Sequence, residues 1–420
     1  MLNRYISLYY GSVGKLRALV AVADWLAGCF VPAAVRRGQL AQAVRAHLGN
    51  VDVFALGSAR SALTACLKAA GVGAGDEVLV SAYTCLAVPT GVIAVGARPV
   101  YMDIDPGTLN VDAASVSAAL SPRVKAIIVQ HTLGKVAPIE VIVTEARRRG
   151  ILVIEDCALS VGSSLEGRQV GTFGDAAIFS MELSKTLSCG WGGILVVNDG
   201  KLATAVTRLY HLLPERGVWA STRDLWQTVV SAWCYRPALY ALPGKYILFL
   251  GFRSGLFRSS TPKPEYEGKV AADFMVRMAG PQAALASRQW RDLSAIAAAC
   301  ERNAQQLRAV LEELRMTHPG APETREVSIA PRVSFLVNNR QEALAYFRAA
   351  GVELGSWFDG PMSPVPSAPV FNYKVGSFPN AEGVARGIVN LPCHSRIDAA
   401  DLARITTTLR DFVRERLAAH

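Results

Sequence analysis

The chain of 420 residues is long enough for two lobes. Hydrophobic residues make up 51% of it and charged residues only 19%, which excludes a disordered or fibrous protein. The 44 Lys and Arg outnumber the 34 Asp and Glu, and the resulting net charge of +10 favours anionic substrates or an anionic surface. The mean hydropathy of +0.25 is high for a protein of this size. We therefore expect either a very apolar interior or an apolar surface with a function.

The eight cysteines are scattered, without a Cys-x-x-Cys pair or a histidine at metal-ligand spacing. This usage predicts reduced thiols in a cytoplasmic protein, with neither a disulfide framework nor a metal site. Residues 18–35 form an apolar segment interrupted by Asp24 and Pro32. We interpret it as an amphipathic or buried helix, with a membrane-associated helix and a cleaved signal peptide as the alternatives.

From residue 51, short runs rich in Val and Ile alternate with helical stretches. The strand-like runs are 51–56, 77–81, 99–104, 126–130, 151–155, 176–180 and 194–198. This alternation predicts an α/β layer with a largely parallel central sheet. A second α/β pattern closes the chain, with strands at 332–337 and 388–391 and helices at 341–350 and 398–417. The predicted organisation is an N-terminal helical segment (1–50), a large domain (51–285) and a small C-terminal domain (286–420).

The segment 205–262 has a different texture from the rest of the chain. It is dense in Trp, Tyr, Leu and Phe and is broken by Pro237, Pro243 and Gly244. Three interpretations remain open: a dimer surface facing a partner subunit, a hydrophobic substrate pocket, and a patch at a membrane interface. No nucleic-acid role is predicted, because the basic residues are dispersed and form no recognition motif.

One amine and one carboxylate carry the chemistry that the sequence suggests. Asp156 follows the strand-like run 151–155, where α/β sheets place ligands, and Lys185 comes 29 residues later. Such a pair suits pyridoxal phosphate: the lysine forms a Schiff base with the aldehyde, and the aspartate keeps the pyridine nitrogen protonated. Taken alone, the pair also fits a surface lysine and a capping aspartate.

Landmark segments around this pair extend from about residue 51 to the final helix. They include GSARSAL at 57–63, GAGDEV at 73–78, GARPV at 96–100, IED at 154–156, GRQVG at 167–171, FS at 179–180 and RM at 277–278. Their content and order resemble the DegT/DnrJ/EryC1/StrS family of fold-type I pyridoxal-phosphate enzymes, best known as sugar aminotransferases. The resemblance implies an α/β/α large domain, a smaller C-terminal α/β domain, and a homodimer with sites at the subunit interface.

The resemblance also implies roles for individual residues. Lys185 matches the Schiff-base lysine, and a lysine there is typical of the aminotransferase branch and not of the sugar-dehydrating branch. Asp156 matches the residue that holds the pyridinium nitrogen. Ala59 and Arg60 replace the family's Gly-Thr pair at a helix N-terminus that favours the cofactor phosphate, and Ser180 matches the serine on the phosphate side.

Several positions depart from the family pattern. Cys85, a candidate cofactor-binding residue, stands where the family has an aromatic ring stacked on the pyridine, and Tyr83 is a candidate substitute. Leu159 replaces a Gln or His, and Met275 replaces the Asn that reaches the partner subunit's phosphate. We expect a divergent but working cofactor site, with a weakened or lost site as the alternative.

His131 and His394 match family positions on the active-site side, and each is equally well explained as a structural histidine. The predicted function is transfer of an amino group from an amino acid, by analogy glutamate, to a keto-sugar or a more hydrophobic biosynthetic intermediate. The alternatives are another reaction of the same cofactor and a non-catalytic relative that acts in binding or as a scaffold. The expected location is the cytoplasm, with peripheral contact at the inner membrane surface as a variant of it.

Overall fold

The computed structural model describes residues 5–8, 14–27, 31–270, 274–364 and 369–417. Its α-helices are α1 Lys15–Ala27, α2 Ala33–Leu48, α3 Ala59–Ala69, α4 Ala87–Ile93, α5 Ala113–Ala119, α6 Ile139–Arg148, α7 Gly200–Leu212, α8 Val218–Cys234, α9 Pro237–Leu239, α10 Lys245–Arg253, α11 Gly280–Arg291, α12 Leu293–Glu313, α13 Arg340–Ala349, α14 Pro379–Gly387 and α15 Ala399–Leu417.

The strands are β1 Asp52–Leu56, β2 Glu77–Ser81, β3 Thr84–Cys85, β4 Arg98–Met102, β5 Val124–Gln130, β6 Leu152–Asp156, β7 Ser164–Leu165, β8 Arg168–Gln169, β9 Ala176–Ser180, β10 Gly193–Val197, β11 Glu326–Val327, β12 Arg332–Leu336, β13 Met362–Ser363 and β14 Ile388–Pro392. Seven of them form the central sheet in the order β1-β10-β9-β6-β5-β2-β4.

The central sheet is largely parallel, as predicted. Strands β9, β6, β5, β2 and β4 pair in parallel, and only β10 runs antiparallel to both of its neighbours. Sheets of this type carry helices on both faces, so their strands are apolar on both sides. The strand β2 shows this directly, because all five of its residues are buried. The carboxyl ends of β6 and β9 lie side by side and open the crevice in which the candidate site forms.

The C-terminal part of the chain builds a second core around a smaller sheet. Strands β12 and β14 pair antiparallel, and their buried side chains pack with Leu307, Phe347 and Leu409 from three helices. Helix α12 joins the two cores, since Leu293 belongs to the core of the large sheet and Leu307 to the smaller one. The predicted fold class, a fold-type I arrangement with a large and a small α/β unit, is confirmed, while the domain limits at 50 and 285 stay a prediction.

The apolar N-terminal segment 18–35 does not form one helix. Helix α1 ends at Ala27 and α2 begins at Ala33, directly after Pro32, because proline favours the first turn of a helix over its interior. Within α1, Ala18 and Ala21 are buried, and Asp24 accepts two hydrogen bonds from Arg288 Nη2 at 2.7 and 2.8 Å. Helix α1 therefore packs on α11 with a face that includes Asp24, while Leu19 and Leu26 are more than half exposed. The predicted amphipathic pattern, with apolar side chains inside and polar ones outside, is not what the described side chains of α1 show.

No helix among the described residues is long and apolar enough to cross a membrane. Of the eight cysteines, Cys29 lies outside the described residues, and the other seven are free thiols. The aromatic region 205–262 folds mainly as α8, α9 and α10, which flank the large sheet's core through buried residues such as Leu225 and Val229 of α8.

Candidate active site

A cavity of about 210 Å³ opens at the carboxyl ends of β6 and β9. Its walls include all six residues predicted for the site, namely Ala59, Arg60, Cys85, Asp156, Ser180 and Lys185. They come from the start of α3, from β3, from the ends of β6 and β9, and from the loop that follows β9. The structure thus brings together side chains that span 127 positions of the sequence.

Asp156 forms the carboxylate wall of the cavity. It is the last residue of β6 and is buried, and its Oδ1 accepts a hydrogen bond from the N–H of Ala158 at 3.0 Å. Burial raises the pKa of the Asp156 carboxyl, while the Ala158 N–H and the Lys185 amine act in the opposite direction. A cationic ring nitrogen bound beside this carboxylate would further favour its charged form.

Lys185 forms the amine wall. Its Nζ lies 4.7 Å from the centroid of the Trp357 ring, within the range of a cation–π contact. Burial lowers the pKa of the Lys185 amine, and the nearby Glu182 and Asp156 carboxylates offset part of that shift. The amine therefore loses its proton more readily than an ordinary lysine, which is what a nucleophile needs.

The N-terminus of α3 forms an anion-binding wall. Ser58 caps the helix by accepting the Ser61 N–H on its Oγ at 3.1 Å, and the N–H groups of Ala59 and Arg60 lie in the first turn, where no intrahelical partner exists. This turn packs directly on Gly193 of β10: a Cβ there would lie 2.1 Å from the Ser58 carbonyl carbon. Glycine at 193 is thus required to hold the helix end against the sheet.

Arg60 has a partner that the sequence did not predict. Its Nη1 forms an ion pair with the buried carboxylate of Glu265, and its Nη2 donates to the carbonyl of Ser260 at 3.1 Å. Burial lowers the pKa of Arg60 to about 10. The Arg60 Nε is buried and has no hydrogen-bond partner among the described residues. A phosphate ester of a pyridine aldehyde fits these groups. Its phosphate would accept from Arg60 Nε and the α3 N–H groups, its aldehyde would meet the Lys185 amine, and its ring nitrogen would meet the Asp156 carboxylate.

Other cavity residues escaped the sequence reasoning. They are Glu182, Ser184, Trp191, Ser260, Thr261 and Trp357. Ser260 and Thr261 follow the divergent aromatic region, and Trp357 lies 172 positions beyond Lys185. No spacing or motif links these segments to the cavity, so only the tertiary fold identifies them. Glu182, Ser184 and Trp191 lie within six positions of Lys185, and this proximity in sequence was the signal that could have identified them.

The departures from the family pattern have different consequences. Tyr83 does not replace the aromatic ring missing at Cys85, because it is fully buried and its hydroxyl accepts the Phe358 N–H at 2.7 Å. Leu159 is buried in the main core, and Met275 packs against that core. Tyr83, Leu159 and Met275 are thus absent from the described lining of the cavity. The aromatic ring that the cavity does place against the Lys185 amine is that of Trp357.

His131 is held in a structural network. Its Nδ1 accepts the Ala137 N–H at 3.1 Å, so its Nε2 carries the proton and donates to Glu155 Oε2 at 3.1 Å. The ligand atoms of His131, Glu155 and Cys157 lie within 4.8 Å of one another, a spacing that a metal ion would accept. However, both Glu155 oxygens already accept backbone N–H groups, from Gly171, Phe173 and Gly174. The cluster is therefore explained as a hydrogen-bonded part of the core.

His394 is structural as well. Its Nε2 lies 3.1 Å from the carbonyl oxygen of Ser7 and donates to it, while Nδ1 accepts the Arg396 N–H at 3.3 Å. Burial lowers the pKa of His394 to about 4, so the ring stays neutral at physiological pH. Of the two interpretations left open for the histidines, the geometry supports the structural one in both cases.

The fold and the site define a class: fold-type I enzymes built around a lysine and an aspartate for pyridoxal phosphate. Within that class, the chain belongs to the DegT/DnrJ/EryC1/StrS aminotransferase family, whose model matches residues 22–237 and 248–410. The predicted family is confirmed, and with it, at the level of the family, the predicted enzyme class and cofactor.

Individual relatives give a more detailed comparison. The chain is 39% identical over 171 residues to L-glutamine:scyllo-inosose aminotransferase of Streptomyces griseus, a match covering 41% of this chain and 40% of that protein. It is 38% identical over 175 residues to GDP-perosamine synthase of Caulobacter vibrioides, covering 41% and 47%. These matches span less than half the length of the curated relatives. The aminotransferase TlmJ from Streptoalloteichus hindustanus shares the whole fold, with a TM-score of 0.73, 23% identity and full coverage of both chains.

Proposed function

We propose that the protein is a pyridoxal-phosphate aminotransferase that moves an amino group from an amino acid to the carbonyl carbon of a keto-sugar or a similar polyhydroxylated ring. The observation that carries this proposal is the convergence of Lys185, Asp156 and the α3 N-terminus on one cavity. Each supplies a different requirement: an amine for the aldehyde, a carboxylate for the ring nitrogen and N–H donors for the phosphate.

When bound, pyridoxal phosphate supplies a ring that accepts electrons from the substrate carbon that loses its proton. Lys185 Nζ, which burial leaves unprotonated more readily than an ordinary lysine, would remove that proton and return it at the neighbouring carbon. Asp156 holds the ring nitrogen in its protonated form through its charge. The Ala59 and Arg60 N–H groups fix the phosphate, so that the ring cannot rotate away from Lys185.

The overall exchange is balanced without an external oxidant or reductant. The donor takes up the oxygen of one water molecule and leaves as a 2-oxo acid, and the acceptor gains the amino group and one hydrogen while its carbonyl oxygen leaves as water, so that no net water is consumed. By the family's analogy we assign L-glutamate as the donor. L-Glutamine is the second candidate, because it is the donor named for the Streptomyces griseus relative.

The cavity supports a sugar-like acceptor. Its volume of about 210 Å³ is below the roughly 300 Å³ at which ordinary ligand pockets begin, so the cofactor occupies most of it and the acceptor reaches in from the mouth. Trp191 and Trp357 offer flat faces for a ring, and Ser260 and Thr261 offer hydroxyl groups. One relative is named for scyllo-inosose as its acceptor, and another is named for the synthesis of GDP-perosamine.

The other acceptor predicted from the sequence was a hydrophobic intermediate bound by the aromatic region. The large apolar groove of that region shares none of its described lining residues with the cavity. The groove is therefore not part of the proposed acceptor site.

Absorbance spectroscopy of the purified protein with pyridoxal phosphate tests the proposal. We expect a visible band that Lys185→Ala abolishes and that Lys269→Ala, at an exposed position, leaves intact. Addition of L-glutamate should bleach the band and release one 2-oxoglutarate for each cofactor that loses its absorbance. A colourless protein that pyridoxal phosphate does not stabilise would favour the non-catalytic relative. A stable band that no amino acid bleaches would favour another reaction of the same cofactor.

A further inference from the structure

Two helices of the aromatic region present apolar side chains to solvent. On α8, Trp219, Trp226 and Trp233 are spaced seven residues apart, which places them on one face of the helix. Trp219 is 88% exposed. Six of the nine residues of helix α10 are aromatic or aliphatic, yet only Leu248 and Gly251 of it are buried. A helix that is apolar on most sides is normally buried in a core or in contact with lipid.

These side chains form one continuous surface, which we call the apolar face. It lines an open groove of about 690 Å³, with Trp219 and Trp226 from α8, Ile247 and Leu250 from α10, and Leu256 from the following turn. Single exposed apolar residues are ordinary, but a contiguous patch of this kind marks a surface that something covers.

The charges around the apolar face have one sign. Between residues 216 and 263 there are seven Lys and Arg but a single acid, Asp224. Asp224 is fully buried, and its Oδ2 lies 2.7 Å from Nη2 of Arg216, whose side chain is also buried, so this pair adds no net charge to the surface and six of the seven cations remain. Arg223 lines the groove, and the exposed Lys245 and Arg253 stand at the two ends of α10. The surface is therefore complementary to a dense negative charge.

We propose that the apolar face docks on the surface of an anionic phospholipid bilayer. Trp, Phe and Leu side chains of α8 and α10 would enter the upper acyl region, and Arg223, Lys245 and Arg253 would contact the phosphates, which is how amphipathic helices lie in a membrane interface. Helix α10 is nine residues, or about 14 Å, long, far short of the roughly 30 Å of a hydrocarbon core. Its length suits an orientation parallel to the membrane plane.

Only a small part of the apolar face falls outside the family model. The family model leaves residues 238–247 unmatched, and this gap ends inside α10. Of the named residues that line the groove, Ile247 lies in this gap, whereas Trp219, Trp226, Leu250 and Leu256 lie in the matched parts of the chain. The docking proposal is also independent of the catalytic one, because the groove and the cavity have no described lining residue in common.

Co-sedimentation of the full chain with phospholipid vesicles tests the proposal. We expect binding to vesicles of phosphatidylcholine with phosphatidylglycerol, weaker binding to phosphatidylcholine alone, and loss of binding as salt screens the charges. Leu250→Ser should weaken binding about tenfold, whereas Leu212→Ser, at an exposed leucine of α7 outside the face, should not. Arg253→Gln should weaken it about fivefold, and Lys201→Gln on α7 should leave it unchanged.

Unaltered circular dichroism and an unaltered cofactor band show that each variant is folded. Trp219→Ser, on the other helix, provides the same readout if Leu250→Ser does not fold. The proposal is overturned by an absence of binding to anionic vesicles at low salt, or by equal losses in the Leu250 and Leu212 variants. It is also overturned if vesicles are not bound and Leu250→Ser instead dissociates a dimer in light scattering, since the face would then be a contact between two copies.

Discussion

The ion pair between Arg60 and Glu265 leads to an unusual expectation for cofactor binding. Glu265 is 3% exposed and Arg60 9% exposed, and the cofactor phosphate must bind beside a guanidinium that a carboxylate already occupies. Glu265→Gln removes that competing negative charge. A hydrogen bond to a charged group contributes about 1.5–3 kcal/mol, so freeing Arg60 for the phosphate should tighten pyridoxal-phosphate binding by roughly 10- to 100-fold.

The same substitution should destabilise the protein without cofactor. Removing one partner of a buried ion pair costs about 3–5 kcal/mol, because the other charge is left uncompensated. Pyridoxal phosphate should then raise the melting temperature of Glu265→Gln by more than that of the wild type. Isothermal titration of the apoprotein with pyridoxal phosphate, and separately with inorganic phosphate, measures the two affinities directly.

Glu267→Gln is the matched control, because this exposed glutamate pairs with Lys269 at the surface, two positions away. It should leave both affinities unchanged. If Glu265→Gln binds phosphate no more tightly than the wild type does, Arg60 does not contact the phosphate, and its ion pair with Glu265 serves only to anchor the loop around Ser260.

Two further predictions concern the walls of the cavity. Gly193→Ala places a Cβ 2.2 Å from the Ala59 nitrogen, so it should cost about 1–3 kcal/mol of folding free energy and weaken phosphate binding. Gly200→Ala, with open space around it, should do neither. Chemical denaturation of both variants measures the two free energies of unfolding. Burial lowers the pKa of Lys185, whereas the hydrogen bond to Glu267 raises that of Lys269. The measurement is acylation of the apoprotein by a small anhydride over a range of pH, followed by mass spectrometry. Lys185 should become reactive at a pH below the ordinary lysine pKa of about 10.4, and Lys269 at a pH above it. The reverse order would show that the cavity does not favour the neutral amine.

The predictable parts of this protein are those encoded by local sequence. Buried strands rich in Val and Ile, separated by helical stretches, sufficed to predict the parallel sheet, because periodicity and length distinguish these elements. Asp156 and Lys185 could be paired because each follows a strand, and the carboxyl ends of parallel strands meet at one edge. The split of 18–35 into two helices has a local cause in Pro32, although a single helix was predicted for this segment.

The unpredicted parts depend on contacts between distant segments. Glu265 reaches Arg60 across 205 positions, and Trp357 reaches Lys185 across 172, so neither contact leaves a periodic signal. The structural roles of His131 and His394 likewise follow from partners that only the fold supplies, Glu155 on the neighbouring strand and the Ser7 carbonyl near the N-terminus. The exposure of individual side chains also cannot be predicted from composition. The sequence shows that segment 205–262 is aromatic, but only the structure shows which of its side chains face solvent.

Trapping the cofactor on the protein tests the central claim most directly. Borohydride reduction of the protein incubated with pyridoxal phosphate fixes the cofactor to the amine that holds its aldehyde, and peptide mass spectrometry identifies that amine. We expect one modified peptide, carrying the label on Lys185, and no label in Lys185→Arg. A label distributed over exposed lysines such as Lys269, or an unlabelled Lys185, would contradict it.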